Sequence, residues 1–414
     1  MQRYSFFALA RHAVNGHRNW PRALCTAGLD PAYDAVIIGG GGHGLATAYF
    51  LARAHGMRRI AVLEKGVIGH GNSGRNTQVV RSDYFHLPSS RFFERSLRLY
   101  EGLSRELNFN IMLSQRGKLD LAHSPHAMET LRRAVNAIRM NGVDAEMLTR
   151  DDIRRLEPAL NLDGRFPVEG GAAQWRGGLA RHDAVVWAFA RAAGALGVDI
   201  VQGCEVTGFT IHGGRVTGVE TALGPVATPR VCLAVAGHSS VLARRAGIDL
   251  PIVSQALQAM VTEPVKPLLR TVLLSPLVHA YLSQTDRGEI VIGGGSDLFQ
   301  SYAQRGGLPA FEANAAAAVE LFPCLSRLRV MRQWAGLVDI TPDTSPIMGL
   351  TPVEGLFVSA GWGTGGYKAI PAGGETMAWT IANGRPHELI AAFGLDRFAR
   401  GALVDEGAAS GVAH

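Results

Sequence analysis

The stretch "VIIGGGGHGLATAYFLARAHG", Val36 to Gly56, decides the fold. Tyr33 to Ile38, ahead of the glycines, reads as a buried strand, and Leu45 to Ala54 behind them carries apolar residues at helical spacing. Gly39, Gly40, Gly41 and Gly42 therefore occupy a strand-to-helix turn. Gly39, Gly41 and Gly44 give the G-x-G-x-x-G spacing that lets a backbone approach a pyrophosphate at a helix N-terminus. A second strand, "RRIAVLEKG", ends in Glu64, twenty residues beyond Gly44, where a carboxylate can accept both hydroxyl hydrogens of an adenosine ribose. A glycine turn that served tight packing alone would not require Glu64.

Near the other end, "GLFVSAGWGTGGYKAIPAGGETMAWTIANG" repeats the order of strand, glycine-rich loop and helix. Gly361, Gly363, Gly365 and Gly366 can approach a flat ring system and aim a helix N-terminus at it. A reduced flavin places negative charge at its N1/O2 edge and needs such a donor. A nicotinamide cofactor needs only the first junction, so the pair favours FAD. Lys65, Arg75, Asn76, Thr77 and Val206 complete the expected cofactor contacts.

At 414 residues and 47% hydrophobic, the chain is long enough for two domains with large cores. The formal charge of +6 is mild, and no basic run is interleaved with aromatics, which argues against nucleic-acid binding. Cys25, Cys204, Cys232 and Cys324 form no Cys-x-x-Cys pair, which argues against a zinc site or a disulfide framework and fits a reducing cytoplasm. No metal site is expected. The apolar runs are too short to span a bilayer. "MQRYSFFALARHAVNGHRNW" lacks the apolar core of a secretory signal and reads as a surface arm packing on a partner chain, with an organelle address as the alternative.

The pattern predicts an α/β protein with a Rossmann-like FAD-binding domain and a second, mainly antiparallel-sheet substrate domain. The expected boundaries are an N-terminal arm over 1–31, with a linker from Pro21 to Pro31, and a discontinuous FAD-binding domain over 32–115, 166–250 and 331–395. The substrate domain takes 116–165 and 251–330, and a C-terminal tail takes 396–414. A hairpin is expected through Gly213 and Gly214.

"GNSGRNTQVVRSDY" places Arg75 and Arg81 in a polar loop after the ribose-binding strand. An arginine fork there can grip a substrate carboxylate, or serve as a ribose-contacting or surface residue. Lys368 follows the second glycine run, either as a second cation at the same place or as a solvated helix-start lysine. A cation is unfavourable at a helix start, which makes its placement informative. His182, in "ARHDAV", reads by itself as a helix-start histidine making one hydrogen bond.

Long strings, among them "IIGGGGHGLATAY", "ARHDAVVWAFARAAGALGVDIVQGCEVTGF", "GHSSVLA", "AAAAVELFP" and "GWGTGGYKA", resemble the β subunits of heterotetrameric sarcosine oxidases. The resemblance spans nearly the whole chain, and the wider group is the glycine/D-amino-acid oxidase-like flavoproteins. It implies a p-hydroxybenzoate-hydroxylase-like fold, non-covalent FAD on Gly39, Gly41, Gly44 and Glu64, and a substrate carboxylate held by Arg81 and Lys368. It also implies FMN attached covalently to His182 at the boundary with an α subunit. Electrons would pass from FAD through FMN to oxygen, and the imine product to a tetrahydrofolate site in the α subunit, with γ and δ subunits completing the assembly. The stretch after Tyr84 departs from the family, which leaves the amine open. Where single-chain sarcosine oxidases carry a lysine beside the flavin, "GEIVIGGG" has Val291 or a neighbour, which fits electrons leaving for FMN. Two rivals remain: a flavin dehydrogenase for proline, an opine or another secondary amino acid, and a non-catalytic flavin-holding scaffold subunit.

Overall fold

Ala35–Ile38 lies near the middle of a six-stranded sheet, flanked by Val231–Leu233 on one side and Ile60–Glu64 on the other. Asp199–Gln202 and Leu356–Ala360 extend it in parallel, and the edge strand Ile347–Leu350 runs antiparallel. The structure, a computed structural model, describes residues 6–18, 24, 26–297 and 299–404. Cys25, the start of the expected linker, and the outer ends of the expected arm and tail lie outside the described residues.

The near-continuous apolar character of these strands follows from burial on both faces. Ala35, Ile37, Ile60 and Val62 point into a core shared with the helices Gly42–His55, Leu87–Glu106, His182–Ala195 and Gly366–Asn383. Val36, Ile38, Ala61 and Leu63 point the other way, into a core closed by the meander Val206–His212, Arg215–Thr221 and Gly224–Ala227. The meander turns through Gly213 and Gly214, both at positive φ, as a two-residue hairpin requires.

The second sheet has eight strands, in the order Val330–Ile340, Val253–Pro264, Glu289–Ser296, Ala280–Gln284, Val272–Ser275, Lys118–Ala122, Gly170–Gln174 and Glu146–Thr149. All its pairs are antiparallel except Val272–Ser275 with Lys118–Ala122. One face packs on Leu308–Leu321 through Leu119, Leu273, Leu282, Ile290 and Ile292. The other faces the first domain.

Expected and observed boundaries differ in three places. Gly170–Gln174 and residues 331–340 of the strand Val330–Ile340, assigned above to the FAD-binding domain, pair within the antiparallel sheet. Nothing local marks a strand for one sheet or another, because partner choice is a long-range contact. The helix after the glycine turn begins at Gly42, within the glycine run, and not at Leu45. The stretch expected as a tail holds, at its second position, buried Arg397, whose guanidinium bonds both oxygens of Asp343 at 2.8 Å. That pair fixes the 396–404 segment to the body. Phe6–Val14 is a helix whose Phe6, Phe7 and Val14 are exposed. No helix among the described residues is long and apolar enough to cross a membrane.

Candidate functional site

A cavity of about 1000 Å³ opens at the carboxyl ends of the parallel strands and runs under the antiparallel sheet. It sits beside Ala35–Ile38, where the sheet order switches between Ile60–Glu64, next in the chain on one side, and Val231–Leu233, reached later on the other, the usual ligand crevice of such folds. Its volume matches the upper range of small-molecule and cofactor sites.

The glycine turn forms one wall. Gly39 is at φ 110°, and a Cβ there would meet the Ala234 carbonyl oxygen at 2.3 Å. A Cβ on Gly44 would meet the Gly39 oxygen at 2.0 Å, so strand and helix can approach this closely only as glycines. The helix N-terminus faces the cavity, and the Ser73 hydroxyl accepts from the Gly42 amide at 2.8 Å. Glu64 accepts the Gly40 and Gly66 amides at 2.8 Å, one on each oxygen. The two bonds orient its carboxylate along the cavity wall, with lone pairs left for further donors.

The loop after that strand is knitted to the second domain. Asn72 accepts the Leu337 amide at 2.8 Å, and Trp334 donates to the Arg75 carbonyl at 2.7 Å. Asn76 donates to Ser73 and accepts from Gln78, which holds Arg75, Asn76 and Thr77 against the cavity. Arg81 follows, 6% exposed, bonded to Asp83 at 2.7 Å and lying over the Tyr84 ring. Lys368 lines the same cavity and is also 6% exposed, its ammonium donating to the Thr364 carbonyl at 2.9 Å. Burial and then the Arg81 charge hold the Lys368 pKa well below that of an ordinary lysine. An anion bound between the two cations would offset both effects.

Gly39, Gly41, Gly42, Glu64, Lys65, Arg75, Asn76, Thr77, Arg81, Val206, Gly363, Gly366 and Lys368 all line this one cavity. Gly40, Gly44, Gly361 and Gly365 stand behind its wall and shape the turns. Lys368 is not the solvated helix-start residue that was one reading of the sequence. His182 lies outside the cavity at the start of its helix. The backbone of Gly74 touches its ring, and Asn72 and Ser73 of the same turn line the cavity. Its Nδ1 is buried without a partner, and burial lowers its pKa, so the imidazole stays neutral near pH 7.

Three site features escaped the sequence reading. His43, inside the glycine motif, bonds the Gly366 carbonyl at 2.8 Å and stacks on Trp362 with ring centroids 4.2 Å apart. It thus ties the first glycine turn to the second. Burial pushes its pKa down to about 4, so it acts as a neutral brace. Asp339 accepts the Gly361 amide at 2.6 Å, and burial pushes its pKa up to about 7. Tyr281, from the antiparallel sheet, lines the cavity beside Thr77. His43 stood in plain view within the motif, whereas Asp339 and Tyr281 reach the site only through strand pairing.

The fold and site define a two-domain, dinucleotide-binding oxidoreductase. The chain belongs to the FAD dependent oxidoreductase family, which matches residues 34–379. It is similar to sarcosine oxidase subunit beta of Rhodobacter capsulatus, 49% identical over 415 residues and covering 100% of both chains. It is also similar to the subunit of that name from an Arthrobacter species, 50% identical over 92% of this chain and 95% of that one. Among solved structures, L-proline dehydrogenase from P. horikoshii superposes with a TM-score of 0.85 at 28% identity, covering 91% of this chain and 100% of that one. The residues present fit FAD: a bare-backbone turn for the pyrophosphate, Glu64 for the ribose, and a cavity of sufficient size joining both glycine junctions.

Proposed function

We propose that this chain is the β subunit of a cytoplasmic, heterotetrameric sarcosine oxidase. It demethylates sarcosine or a similar small secondary amino acid oxidatively, consuming oxygen together with water where formaldehyde is released, or with tetrahydrofolate where the one-carbon unit is captured. The products are glycine, hydrogen peroxide, and formaldehyde or 5,10-methylenetetrahydrofolate. The observation that carries this reading is the convergence of two buried cations, Arg81 and Lys368, on the cavity that holds the glycine cradle and Glu64. Convergent substrate-facing cations are not needed by a scaffold subunit.

When bound, FAD supplies the acceptor for the hydride that leaves the methyl carbon of the amine. The chain's own residues bind and orient. Gly39, Gly41 and Gly44 let the backbone reach the pyrophosphate, and Glu64 accepts the ribose hydroxyls. Arg81 and Lys368 take the substrate carboxylate, which sets the methyl group's position. A neutral bound amine needs no strong base in this arrangement. The helix start at Gly366 and the amides of the 361–366 loop offer positive dipole ends to charge that accumulates in the cavity.

His182 is the attachment point for covalent FMN in this reading. Its neutral imidazole and unpartnered Nδ1 suit bond formation to carbon, and one turn, 72–74, stands between it and the FAD cavity. The α subunit covers that face and receives the imine product at its tetrahydrofolate site. The γ and δ subunits complete the assembly, and the N-terminal helix, with Phe6, Phe7 and Val14 exposed, serves as a contact arm for a partner chain.

A second reading, a dehydrogenase for proline or an opine, is favoured by the superposition on L-proline dehydrogenase. A substrate panel on the purified hetero-oligomer, read by anaerobic bleaching of the flavin, separates the two. Sarcosine is expected to bleach it at least about tenfold faster than proline or an opine; the reverse order would favour the dehydrogenase.

Glu64→Ala is expected to lose FAD on extended dialysis while the apo chain keeps its far-ultraviolet circular dichroism. Two ribose hydrogen bonds to a charged acceptor are together worth roughly 3 kcal/mol or more, over a hundredfold in affinity. Stoichiometric FAD after dialysis would show that the ribose is held elsewhere.

A further inference from the structure

Arg81 does not stand by itself. Its guanidinium bonds one oxygen of Asp83 at 2.7 Å, and the Lys118 ammonium bonds the other at 2.6 Å. Lys118 also pairs with Asp120, two residues further along its own strand. The four groups form a string of alternating charge, Arg81, Asp83, Lys118, Asp120, leading away from the cavity. The side chains of the first three are 7%, 8% and 4% exposed, and that of Asp120 is 19%. Only Arg81 of the four lines the cavity. The string also crosses the domain boundary: Arg81 and Asp83 belong to the loop after the ribose strand, and Lys118 and Asp120 to Lys118–Ala122 of the antiparallel sheet.

Elementary electrostatics assigns each member a task. A buried carboxylate in contact with a guanidinium cancels most of its field, because charges at hydrogen-bond distance interact strongly in a poorly screened interior. Arg81 paired with Asp83 alone would present little positive potential to a substrate carboxylate. Lys118 divides the Asp83 charge between two cations. Asp83 is held ionised by the pair, its pKa lowered to about 2 by Lys118 and Arg81 against the opposing effect of burial. Asp120 in turn takes up part of the Lys118 charge. The string sums to zero, leaving Lys368 as the surplus cation for one substrate carboxylate.

We propose that Lys118 is a positioning residue for substrate recognition: by sharing Asp83 with Arg81, it sets the potential that Arg81 presents to an anionic substrate it never touches. This inference rests on the reading of Arg81 as a carboxylate anchor. It makes the charge sum of the string, and not any one contact, the determinant of carboxylate affinity. Lys118→Gln lowers the sum by one and should weaken carboxylate binding. Asp120→Asn raises it by one and should strengthen binding. The double variant restores zero.

The test uses the purified hetero-oligomer with its flavin bound, at pH 8. Acetate, a carboxylate without an amine, is titrated and followed by the flavin absorbance change, alongside kcat and KM for sarcosine. Lys118→Gln is expected to weaken acetate at least about fivefold and raise the sarcosine KM in parallel, with a smaller change in kcat. Asp120→Asn is expected to tighten acetate, and the double variant to fall within about threefold of the parent. A purely structural salt bridge predicts otherwise: both single variants would weaken acetate and the double would be worse than either, which would overturn the inference. If Lys118→Gln fails to assemble, Lys118→Arg, expected to match the parent, and Asp120→Asn decide it, since weaker acetate binding in Asp120→Asn has the wrong sign. Arg81→Met separates the two levels. Unchanged acetate binding in Arg81→Met overturns the anchor reading and this inference with it. Weakened binding in Arg81→Met but not in Lys118→Gln overturns this inference alone.

Discussion

The His182→Asn chain is expected to have the mass of its bare sequence, whereas the parent chain from active hetero-oligomer is expected to carry one FMN less two hydrogens. Bond formation between an imidazole nitrogen and the flavin 8-methyl carbon releases two protons and leaves two electrons on the flavin ring, which oxygen takes up to give hydrogen peroxide. The bond requires an unprotonated nitrogen, and burial supplies one by keeping His182 neutral near pH 7. Acid precipitation should leave the parent pellet yellow and release FAD into the supernatant. The variant should keep FAD that substrate still reduces, while oxygen reoxidises it far more slowly than in the parent. An unmodified parent chain from fully active enzyme would remove the covalent-FMN assignment and much of the case for this subunit role.

Arg81→Met and Lys368→Met are each expected to raise the sarcosine KM by roughly tenfold to a hundredfold. That is the cost of losing one charge-assisted hydrogen bond, about 1.5–3 kcal/mol. Both substitutions keep an unbranched apolar stem, so packing is largely preserved. Amines without a carboxylate should be indifferent to either change, and equal losses for both substrate types would refute the clamp. Lys368 adds a pH signature. Burial and Arg81 hold its free-enzyme pKa well below the usual lysine value, and a bound carboxylate raises it. Between the two values, substrate binding takes up a proton. The affinity should therefore fall as pH rises through that window, by up to about tenfold per pH unit. Lys368→Met should abolish this dependence.

Much of the site was legible because its chemistry demands residues that leave a linear trace. A pyrophosphate cradle needs glycines at fixed offsets, and Gly39 and Gly44 are packed so closely that any side chain would strike a backbone oxygen. A carboxylate for a ribose is expected at the end of the next strand, and Glu64 stands there on the cavity wall. The loop cations Arg75 and Arg81 and the helix-borne Lys368 stood out for their positions beside glycine runs. Asp339 left no such trace. Its role depends on lying beside Gly361, which β-pairing and the return of the chain bring about.

The two strand–glycine–helix junctions and the class of cofactor they suit were readable in the linear chain, because each rests on contacts within one strand–turn–helix unit. Folding in three dimensions settles which sheet takes Gly170–Gln174 and Val330–Ile340, that His43 braces one glycine turn against the other, and that Lys368 is buried in the same cavity as Arg81. It alone brought Lys118 and Asp120 from the second domain to the back of Arg81. Those arrangements join residues tens to hundreds of positions apart. The free energy that selects them comes from burial and charge pairing in the assembled core, which no local stretch of chain encodes.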